Sequence, residues 1–245
     1  MLLDGAHLIA DAIAAAITFQ LAAVTPASSE EADVRVLVES LQHRGVEVVV
    51  VSASVMEAVS PVKTPSGIVA LAQRPAVSAD RLYGGPASLV VSAVDVQDPG
   101  NLGAIVRVAE AAGATGFVAA GGSANPFGWK ALRGSMGSAL RLPIASEVTA
   151  HDAITEARQH RCRIVAAVPR EGRSLFDVDL TAPIHVLIGG EGQGLPASLT
   201  DAADDRVTIP MQAPVESLNA AVTAALIVYE AARQRRTQNV RTLER

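Results

Sequence analysis

Three short segments of the chain combine glycine, amide and hydroxyl groups at points where an apolar run gives way to a helical pattern. In chain order they are residues 98–107, residues 189–195, and the pair 209–211 with 216–219. Glycine lets the backbone approach a ligand closely, and free amide groups at the start of a helix bind anions such as phosphate. The three segments therefore favour a nucleotide or nucleoside site.

Each segment also has a purely structural explanation. Asn101 and Arg107 fit a capped helix with a solvated arginine, and Ser217 fits a helix N-cap. The glycine loop fits a tight turn, and it lacks the Gly-Lys-Ser/Thr of a phosphate-binding P-loop. It imitates a dinucleotide fingerprint, but Pro196 interrupts the pattern, and position 217, about twenty residues on, is serine where the acidic ribose partner is expected. A nicotinamide-dependent oxidoreductase is therefore disfavoured.

The segments lie in a region where strand-like apolar runs alternate with helical patterns. The predicted strands are residues 89–94, 116–120, 163–168, 184–188 and 206–210. The predicted helices are residues 101–112, 151–160, 196–203 and 217–236. This alternation predicts an α/β domain whose parallel sheet is covered on both faces.

Two of these helices have apolar stripes at helical spacing, which predicts the faces that they bury. In the helix after Asn101 the predicted buried residues are Leu102, Ile105, Val106 and Ala109. In the last helix they are Leu218, Val222, Ala225, Leu226 and Tyr229. Arg107 points away from the first stripe on the helical wheel, so its side chain is expected in solvent.

A smaller unit precedes this domain. Residues 1–74 are typical of a small α/β unit, with a predicted helix at 7–17 and predicted strands at 46–51 and 67–71. Residues 75–88 are polar and rich in Pro and Gly, as expected of a linker. The boundary is placed near residue 84, and the larger domain at 89–245.

Composition narrows the class of protein. The chain has 245 residues, of which 49% are hydrophobic, enough for one or two domains. No uncharged apolar run reaches the roughly 18 residues that a membrane span requires, so a soluble protein is expected. The start of the chain carries Asp4 and Asp11 and no basic residue, which argues against a secretory or transit peptide and favours a cytoplasmic location.

The cysteine and histidine residues argue against a disulfide and a metal site, and the net charge argues against nucleic-acid binding. The single cysteine, Cys162, cannot form an internal disulfide, and the five histidines show no metal-ligand spacing, so no metal is expected. The net charge of −5 resides entirely in residues 1–80. Such a charge is a poor match for a nucleic-acid-binding surface.

Taken together, the motifs resemble the SpoU/TrmH family of RNA ribose 2′-O-methyltransferases. The family signatures are Asn-x-Gly-x-x-x-Arg, Gly-x-Glu-x-x-Gly, and Ile-Pro followed by Ser-Leu-Asn, and residues 124–143 look like a fourth, Lys-x-x-Arg-x-Ser-x-Gly. The resemblance covers residues 85–236. It implies a parallel-sheet SPOUT catalytic domain with a C-terminal trefoil knot that binds S-adenosylmethionine, in a homodimer whose RNA site is drawn from both subunits.

The resemblance also implies a role for individual residues. The catalytic set comprises Asn101, Arg107, Glu191, Ser217 and Asn219. The cofactor set comprises Gly189, Gly194, Ile209, Met211 and Leu218, and the RNA-binding set comprises Lys130, Arg133, Ser135 and Arg141. Arg107 is expected at the reacting hydroxyl, as a general base or as a cation that stabilises the alkoxide, and Glu191 is expected to fix the glycine loop or to bind Arg107.

Residues 1–74 resemble the ribosomal-protein-like substrate-binding domain of the same family. Residues 4–7 fall where the family has Glu-Gly-x-His, and residues 64–68 where it has Thr-Pro-x-Gly. The family's basic stretch before this point is missing, so part of the RNA-binding surface is expected to be absent. Ribosomal RNA is favoured over transfer RNA as substrate. A catalytically silent RNA-binding homologue is the alternative, against which all five catalytic residues argue.

Overall fold

The computed structural model describes the backbone of residues 1–243 and the side chains of residues 1–238, and it contains two β-sheets. The N-terminal elements are β1 (Leu2–Asp4), α1 (Ala6–Ala14), β2 (Phe19–Val24), α2 (Pro26–Ser29), α3 (Ala32–His43), β3 (Glu47–Val50), α4 (Ala53–Val59), β4 (Ile68–Ala72) and α5 (Ala79–Leu82). The elements that follow are β5 (Leu89–Val94), α6 (Pro99–Ala111), β6 (Gly116–Ala120), α7 (Trp129–Ser135), α8 (Ser138–Arg141), β7 (Ile144–Val148), α9 (Ala150–Gln159), β8 (Arg163–Ala167), β9 (Arg173–Ser174), β10 (Ile184–Gly189), α10 (Ala197–Ala202), β11 (Asp205–Thr208) and α11 (Ala220–Leu243).

The first sheet has four strands in the order β1-β4-β2-β3. Strand β4 is antiparallel to both of its neighbours, and β2 is parallel to β3. The predicted helix and two predicted strands of this unit correspond to α1, β3 and β4. Strand β2 was not predicted, because its buried and exposed residues do not alternate and so leave no two-residue period.

The second sheet has seven strands in the order β7-β6-β5-β10-β8-β11-β9, and every pairing is parallel. The central strands β5 and β10 pair from Leu89 with Ile184 to Val94 with Gly189, so both end at the same edge of the sheet. The backbone amide of Gly190 donates to the carbonyl of Val94 at 2.8 Å. The loops after β5 and β10 therefore begin side by side.

Both faces of this sheet are covered, as the sequence predicted. Along β5, Val91 and Ala93 pack into the core that contains α6 and α11, whereas Val90 and Val94 pack into a separate core with α9 and Leu199 of α10. Successive residues of a strand point to opposite faces, so the two cores lie on opposite sides of the sheet. The prediction of an α/β domain with a parallel sheet is confirmed.

The prediction of which face the last helix buries was wrong. Helix α11 buries a face of small and branched residues, namely Ala220, Ala224, Ile227, Val228 and Ala231. Val222, Leu226 and Tyr229 are instead 46%, 43% and 52% exposed. The helix is apolar on two faces, and its alanine-rich face allows the closest approach to α6. Despite this apolar character, no helix within the described residues is long and apolar enough to cross a membrane.

Residues 75–88 pack against the larger sheet through α5 and Tyr83. The Tyr83 hydroxyl donates to the carbonyl of Ala153 at 3.2 Å and lies 3.1 Å from Nδ1 of His185 in β10. Nε2 of His185 contacts the hydroxyl of Ser92 in β5. These donors and acceptors are satisfied together when Nδ1 carries the proton and Ser92 donates to Nε2. The network anchors the segment between the two sheets to the centre of the second one.

Candidate functional site

The three predicted motifs meet at the carboxyl edge of the larger sheet. After β5, Asp98 accepts a hydrogen bond from the backbone amide of Asn101 at 2.7 Å and Pro99 occupies the first turn, so α6 begins two residues earlier than predicted. After β10, a Cβ at Gly189 would lie 2.5 Å from the carbonyl carbon of Gly194, and one at Gly190 would lie 2.2 Å from the carbonyl oxygen of Asp95. Only glycine permits this closed loop.

A hydrogen-bond network joins one residue from each motif. Nδ2 of Asn101 and Nδ2 of Asn219 both donate to Oε1 of Glu191, the latter at 2.9 Å. Nδ2 of Asn219 also lies 3.1 Å from Oδ1 of Asn101. Two roles were expected for Glu191, fixing the glycine loop or binding Arg107. Its carboxylate is hydrogen-bonded to the two asparagines, which fixes the loop, and it is not bonded to Arg107.

Asn219, and not Ser217, begins the last helix. Oδ1 of Asn219 accepts hydrogen bonds from the backbone amides of Ala221 at 2.9 Å and Val222 at 3.3 Å, which is the geometry of an N-cap. Ser217 lies exposed in the preceding loop, so the N-cap explanation does not apply to it. One asparagine side chain thus caps α11 with its oxygen and holds Glu191 with its nitrogen.

A cavity of about 420 Å³ lies beside this network. All five residues of the predicted cofactor set line it, together with Glu191 and Ser217. Its volume falls within the range of about 300–1,000 Å³ that is usual for small-molecule sites. The sequence did not identify residues 167–170 as part of the wall. Their one signal is that they lie at the end of β8, a strand of a parallel sheet, and in the loop after it, where ligands of such folds bind.

The cavity has the chemistry that S-adenosylmethionine requires. Ile188, Ile209, Leu218 and Ile227 give it apolar walls, which suit the faces of an adenine and a thioether-like chain. The glycine loop supplies backbone donors and acceptors, and the place that a Cβ would fill at Gly189 is taken by the backbone of Gly194 and Leu195, so the loop folds closely against the end of β10. Among the described residues, no group of three or more His, Cys, Asp or Glu side chains is arranged to hold a metal ion.

Arg107 lies outside the cavity of its own chain. It is on α6 six residues after Asn101, about 9 Å along the helix axis at the usual rise per residue. Its side chain is exposed, as predicted, and makes no hydrogen bond or ion pair with any residue whose side chain is described. The structure therefore brings together Asn101, Glu191 and Asn219, and leaves Arg107 apart.

The four residues of the predicted RNA-binding set have different environments. Lys130 and Arg133 are exposed on α7. Ser135 is fully buried, and its hydroxyl donates to the carbonyl of Leu132 at 2.9 Å. It lies four residues after Ala131 and so shares the buried face of α7. This burial excludes a direct contact between Ser135 and RNA in this structure.

Arg141 is occupied by carboxylates. Its Nε and Nη2 bind the two oxygens of Glu110 at 2.8 and 2.9 Å, and its Nη1 lies 3.8 Å from Asp11 of the smaller domain. The hydrogen bond with Glu110 raises the pKa of Arg141. Burial alone would raise the pKa of Glu110, but hydrogen bonds from Arg141 and Ser138 bring it below its ordinary value. Arg141 thus joins the two domains and has little free charge for a phosphate.

Comparison with known proteins agrees with this geometry. Residues 88–229 match the SpoU rRNA Methylase family, and residues 1–70 match the MRM3-like substrate binding domain. An uncharacterized tRNA/rRNA methyltransferase of Synechocystis is 32% identical over 96% of this chain and 84% of its own length. The 23S rRNA (guanosine(2553)-2′-O)-methyltransferase RlmP of Bacillus subtilis is 30% identical over 76% of this chain and 72% of its own.

Among solved structures, the SpoU methyltransferase AviRb from Streptomyces viridochromogenes, in complex with AdoMet, superposes with a TM-score of 0.89. It is 28% identical and the match covers 97% of this chain and 91% of that one. The family match spans more than half of the chain, and the residues of its three motifs form the network and the cavity described above. The chain belongs to the SpoU rRNA methylase family, whose members are S-adenosylmethionine-dependent RNA methyltransferases.

Proposed function

We propose that this protein transfers the methyl group of S-adenosylmethionine to a ribose 2′-hydroxyl of ribosomal RNA. The observation that carries the proposal is the network of Asn101, Glu191 and Asn219 beside the cavity. It joins the starts of two helices to the glycine loop and leaves polar groups next to the place where a methyl donor fits. The relative from Bacillus subtilis is named as a ribose methyltransferase of 23S rRNA, which supports this acceptor.

When bound, S-adenosylmethionine supplies an activated methyl group for direct displacement. The protein must then align the acceptor hydroxyl and stabilise the negative charge that develops on it. Asn101, Ser217 and Asn219 orient the ribose, and Glu191 holds the two asparagines in place. Arginine stays protonated at neutral pH, so Arg107 acts as a cation beside the developing alkoxide and the adjacent phosphate.

The active form in this proposal is a homodimer in which Arg107 reaches the cavity of the second copy. Helix α11 packs on α6 and leaves Val222, Leu226 and Tyr229 exposed as a stripe at spacings of four and three residues. An exposed apolar stripe of this kind marks an interaction surface. A twofold contact through these helices carries the exposed Arg107 towards the partner, and sedimentation at micromolar concentration is expected to show a dimer.

Lys130 and Arg133 of α7 are proposed to contact RNA phosphates, whereas Arg141 is not. Replacing both residues by alanine is expected to lower the slope of log affinity against log salt by roughly 1 to 2, since each phosphate contact contributes about 0.7–0.9. Arg141→Ala is the matched control and is expected to leave the slope unchanged, because Glu110 already neutralises it. The opposite pattern would return Arg141 to the RNA-binding surface.

The C-terminal trefoil knot that the family resemblance implies is part of the same proposal. Strand β11 lies two places from β10 in the sheet, yet α11, which follows it, packs against α6 and β10. The connecting segment therefore returns across the edge of β8 to the glycine loop, where Asn219 meets Glu191. A crystal structure with continuous density showing residues 209–219 passing outside the loop 190–195 would contradict a knot.

The reaction is tested with purified protein, S-adenosylmethionine labelled in its methyl group, ribosomal RNA and transfer RNA. The expected result is incorporation into ribosomal RNA at a ribose that becomes resistant to alkaline cleavage on its 3′ side. Incorporation into transfer RNA alone would identify the other substrate. Label on a base, or tight binding of the methyl donor with no transfer to either RNA, would reject ribose methylation.

A further inference from the structure

The cavity wall contains one arginine that none of the family motifs includes. Within the described part of the chain, the charged residues that line the cavity are Arg170, Glu191 and Glu216. Glu191 is already bound by two asparagine amides. Arg170, in the loop after β8, pairs with Glu216, in the loop before α11, at 2.8 Å. This ion pair connects two of the loops that surround the cavity.

The ion pair lies in a solvent-exposed part of the cavity lining, and other parts of the lining are buried and apolar. The side chains of Arg170 and Glu216 are 68% and 78% exposed, whereas Ile188 and Ile227, which also line the cavity, are buried. S-adenosylmethionine has an apolar adenine at one end and a charged α-amino-acid group at the other. Burying a charged group without a partner is costly, so the adenosine belongs in the apolar part and the amino-acid group at the rim.

Arginine is well suited to receive a carboxylate at that rim. Its planar guanidinium offers two parallel N–H donors that match the two oxygens of a carboxylate. An exposed ion pair such as Arg170–Glu216 is weak because water screens it and ordering two long side chains costs entropy. Once the adenosine is bound, it holds the ligand's carboxylate next to Arg170. The carboxylate then competes with Glu216 for the guanidinium, because tethering gives it a high effective concentration there.

We propose that Arg170 binds the α-carboxylate of the methyl donor and exchanges Glu216 for it when the cofactor enters. Arg170 is then a cofactor-specificity residue: it recognises the amino-acid end of the ligand, while the glycine loop and the apolar wall recognise the nucleoside. The inference rests on the proposed use of this cavity for S-adenosylmethionine.

The test measures affinities by calorimetry for three ligands that share the adenosine. They are S-adenosylhomocysteine, its decarboxylated analogue that keeps the amine, and 5′-methylthioadenosine, which lacks the whole amino-acid group. Arg170→Met is expected to weaken S-adenosylhomocysteine about tenfold, the loss typical of one charged hydrogen-bonded contact. The same substitution is expected to change the affinity of the other two ligands by less than about twofold, since neither offers a carboxylate.

Arg206→Met is the matched control, because Arg206 also forms an exposed pair with a carboxylate, Asp201, but does not line the cavity. It is expected to bind all three ligands as the unchanged protein does. Equal weakening of all three ligands by Arg170→Met would show that Arg170 shapes the cavity and would overturn the proposal. Unchanged cofactor affinity with weakened RNA binding would assign Arg170 to a phosphate instead. If the unchanged protein binds none of the ligands, the methyl-donor site itself is rejected.

Discussion

Asn219 shows how a single side chain links local structure to the site. Its oxygen caps α11 and its nitrogen holds Glu191, so the start of the last helix and the position of the glycine loop depend on each other. The motif Ser-Leu-Asn was recognisable in the sequence, but the sequence did not show which of its residues caps the helix. A serine and an asparagine are both good N-cap residues, and only the bounds of α11 decide between them.

Replacing Glu191 tests whether this network matters for methyl transfer. Glu191→Ala removes an acceptor that binds two amides, and it thereby frees the side chains of Asn101 and Asn219 that align the ribose. The single-turnover rate at saturating S-adenosylmethionine is expected to fall by at least about tenfold. Glu191→Gln keeps one acceptor oxygen and is expected to recover part of the rate.

The melting temperature should move little in either variant, because Glu191 is exposed. Glu57→Ala, an exposed position on α4, is the control and is expected to keep the full rate. A normal rate in Glu191→Ala would mean that the network only shapes the loop.

His185 provides a prediction about pH. Burial lowers its pKa to about 3 from an ordinary value of 6.5. Between these values the unfolded chain binds a proton at this ring and the native protein does not. Stability is therefore retained above about pH 6.5 and lost as the pH falls, by up to about 1.4 kcal/mol per pH unit from this group.

The measurement is the imidazole chemical shift of His185 by NMR. The expected result is a constant shift from pH 8 to pH 5, with Nδ1 protonated and Nε2 unprotonated throughout. A His185 resonance that moves in this range would show that the ring takes up a proton in the native state, and it would contradict the buried network with Tyr83 and Ser92.

At the scale of elements, the strands that form the floor of the site were predictable and several helices were not. Strands β5 and β10 are buried along almost their whole length and read as continuous apolar runs. Helices α7 and α8 have seven and four residues, too short for a helical period to emerge from the glycines around them. The family resemblance implied RNA contacts for this stretch, but which face each residue occupies depends on the helices, and Ser135 proved to be buried.

The buried face of the last helix, α11, was predicted wrongly for a related reason. A periodic pattern identifies apolar residues that share a face, but it does not say whether that face meets its own domain or another molecule. The larger side chains marked the exposed face, while the alanines packed against α6. Burial of small residues gives a weak signal in sequence because alanine is also the best helix former in solvent.

Arg235 is the residue expected to hold α11 in position. It donates to the carbonyls of Leu180, Ala182, Ala87 and Ser88, which joins the helix to the segments before β5 and β10. Burial lowers the pKa of its guanidinium. Arg235→Ala removes the donor that these carbonyls share, although that of Ser88 still accepts from the amide of Ile184. The substitution is expected to lower the free energy of unfolding by about 2 kcal/mol or more, measured by urea denaturation.

Arg235→Lys should recover only part of that loss, because an ammonium cannot reach carbonyls on several sides in the way that a guanidinium does. Arg236→Ala, at the neighbouring exposed position, is the matched control and is expected to stay within about 0.5 kcal/mol of the unchanged protein. Equal stability of Arg235→Ala and Arg236→Ala would remove this role.

At the scale of the whole molecule, the two sheets are joined by ion pairs. Arg141 links Glu110 to Asp11, and Arg74 pairs with Glu147 of β7. These pairs use one acidic and one basic side chain of the smaller domain, Asp11 and Arg74, so they join it to the larger domain without changing its net negative charge. None of the three pairings could be predicted from the sequence, since the partners are separated by 31 to 130 positions.

The proposed dimer makes a prediction that a monomeric enzyme cannot meet. Two inactive variants are prepared: Arg107→Ala, which keeps the cavity, and Gly189→Val, which disrupts the glycine loop that lines it, because even a Cβ there would lie 2.5 Å from the Gly194 carbonyl carbon. If Arg107 serves the cavity of the partner, a mixed dimer contains one complete site. Co-expression is then expected to restore about a quarter of the full activity, since half of the dimers are mixed and each has one working site of two.

If Arg107 serves its own chain, every site in the mixture lacks one component and the methyl-transfer rate stays at the level of the separate variants. Sedimentation and circular dichroism of Gly189→Val establish that it still folds and pairs, so an absence of recovery would place Arg107 within its own subunit.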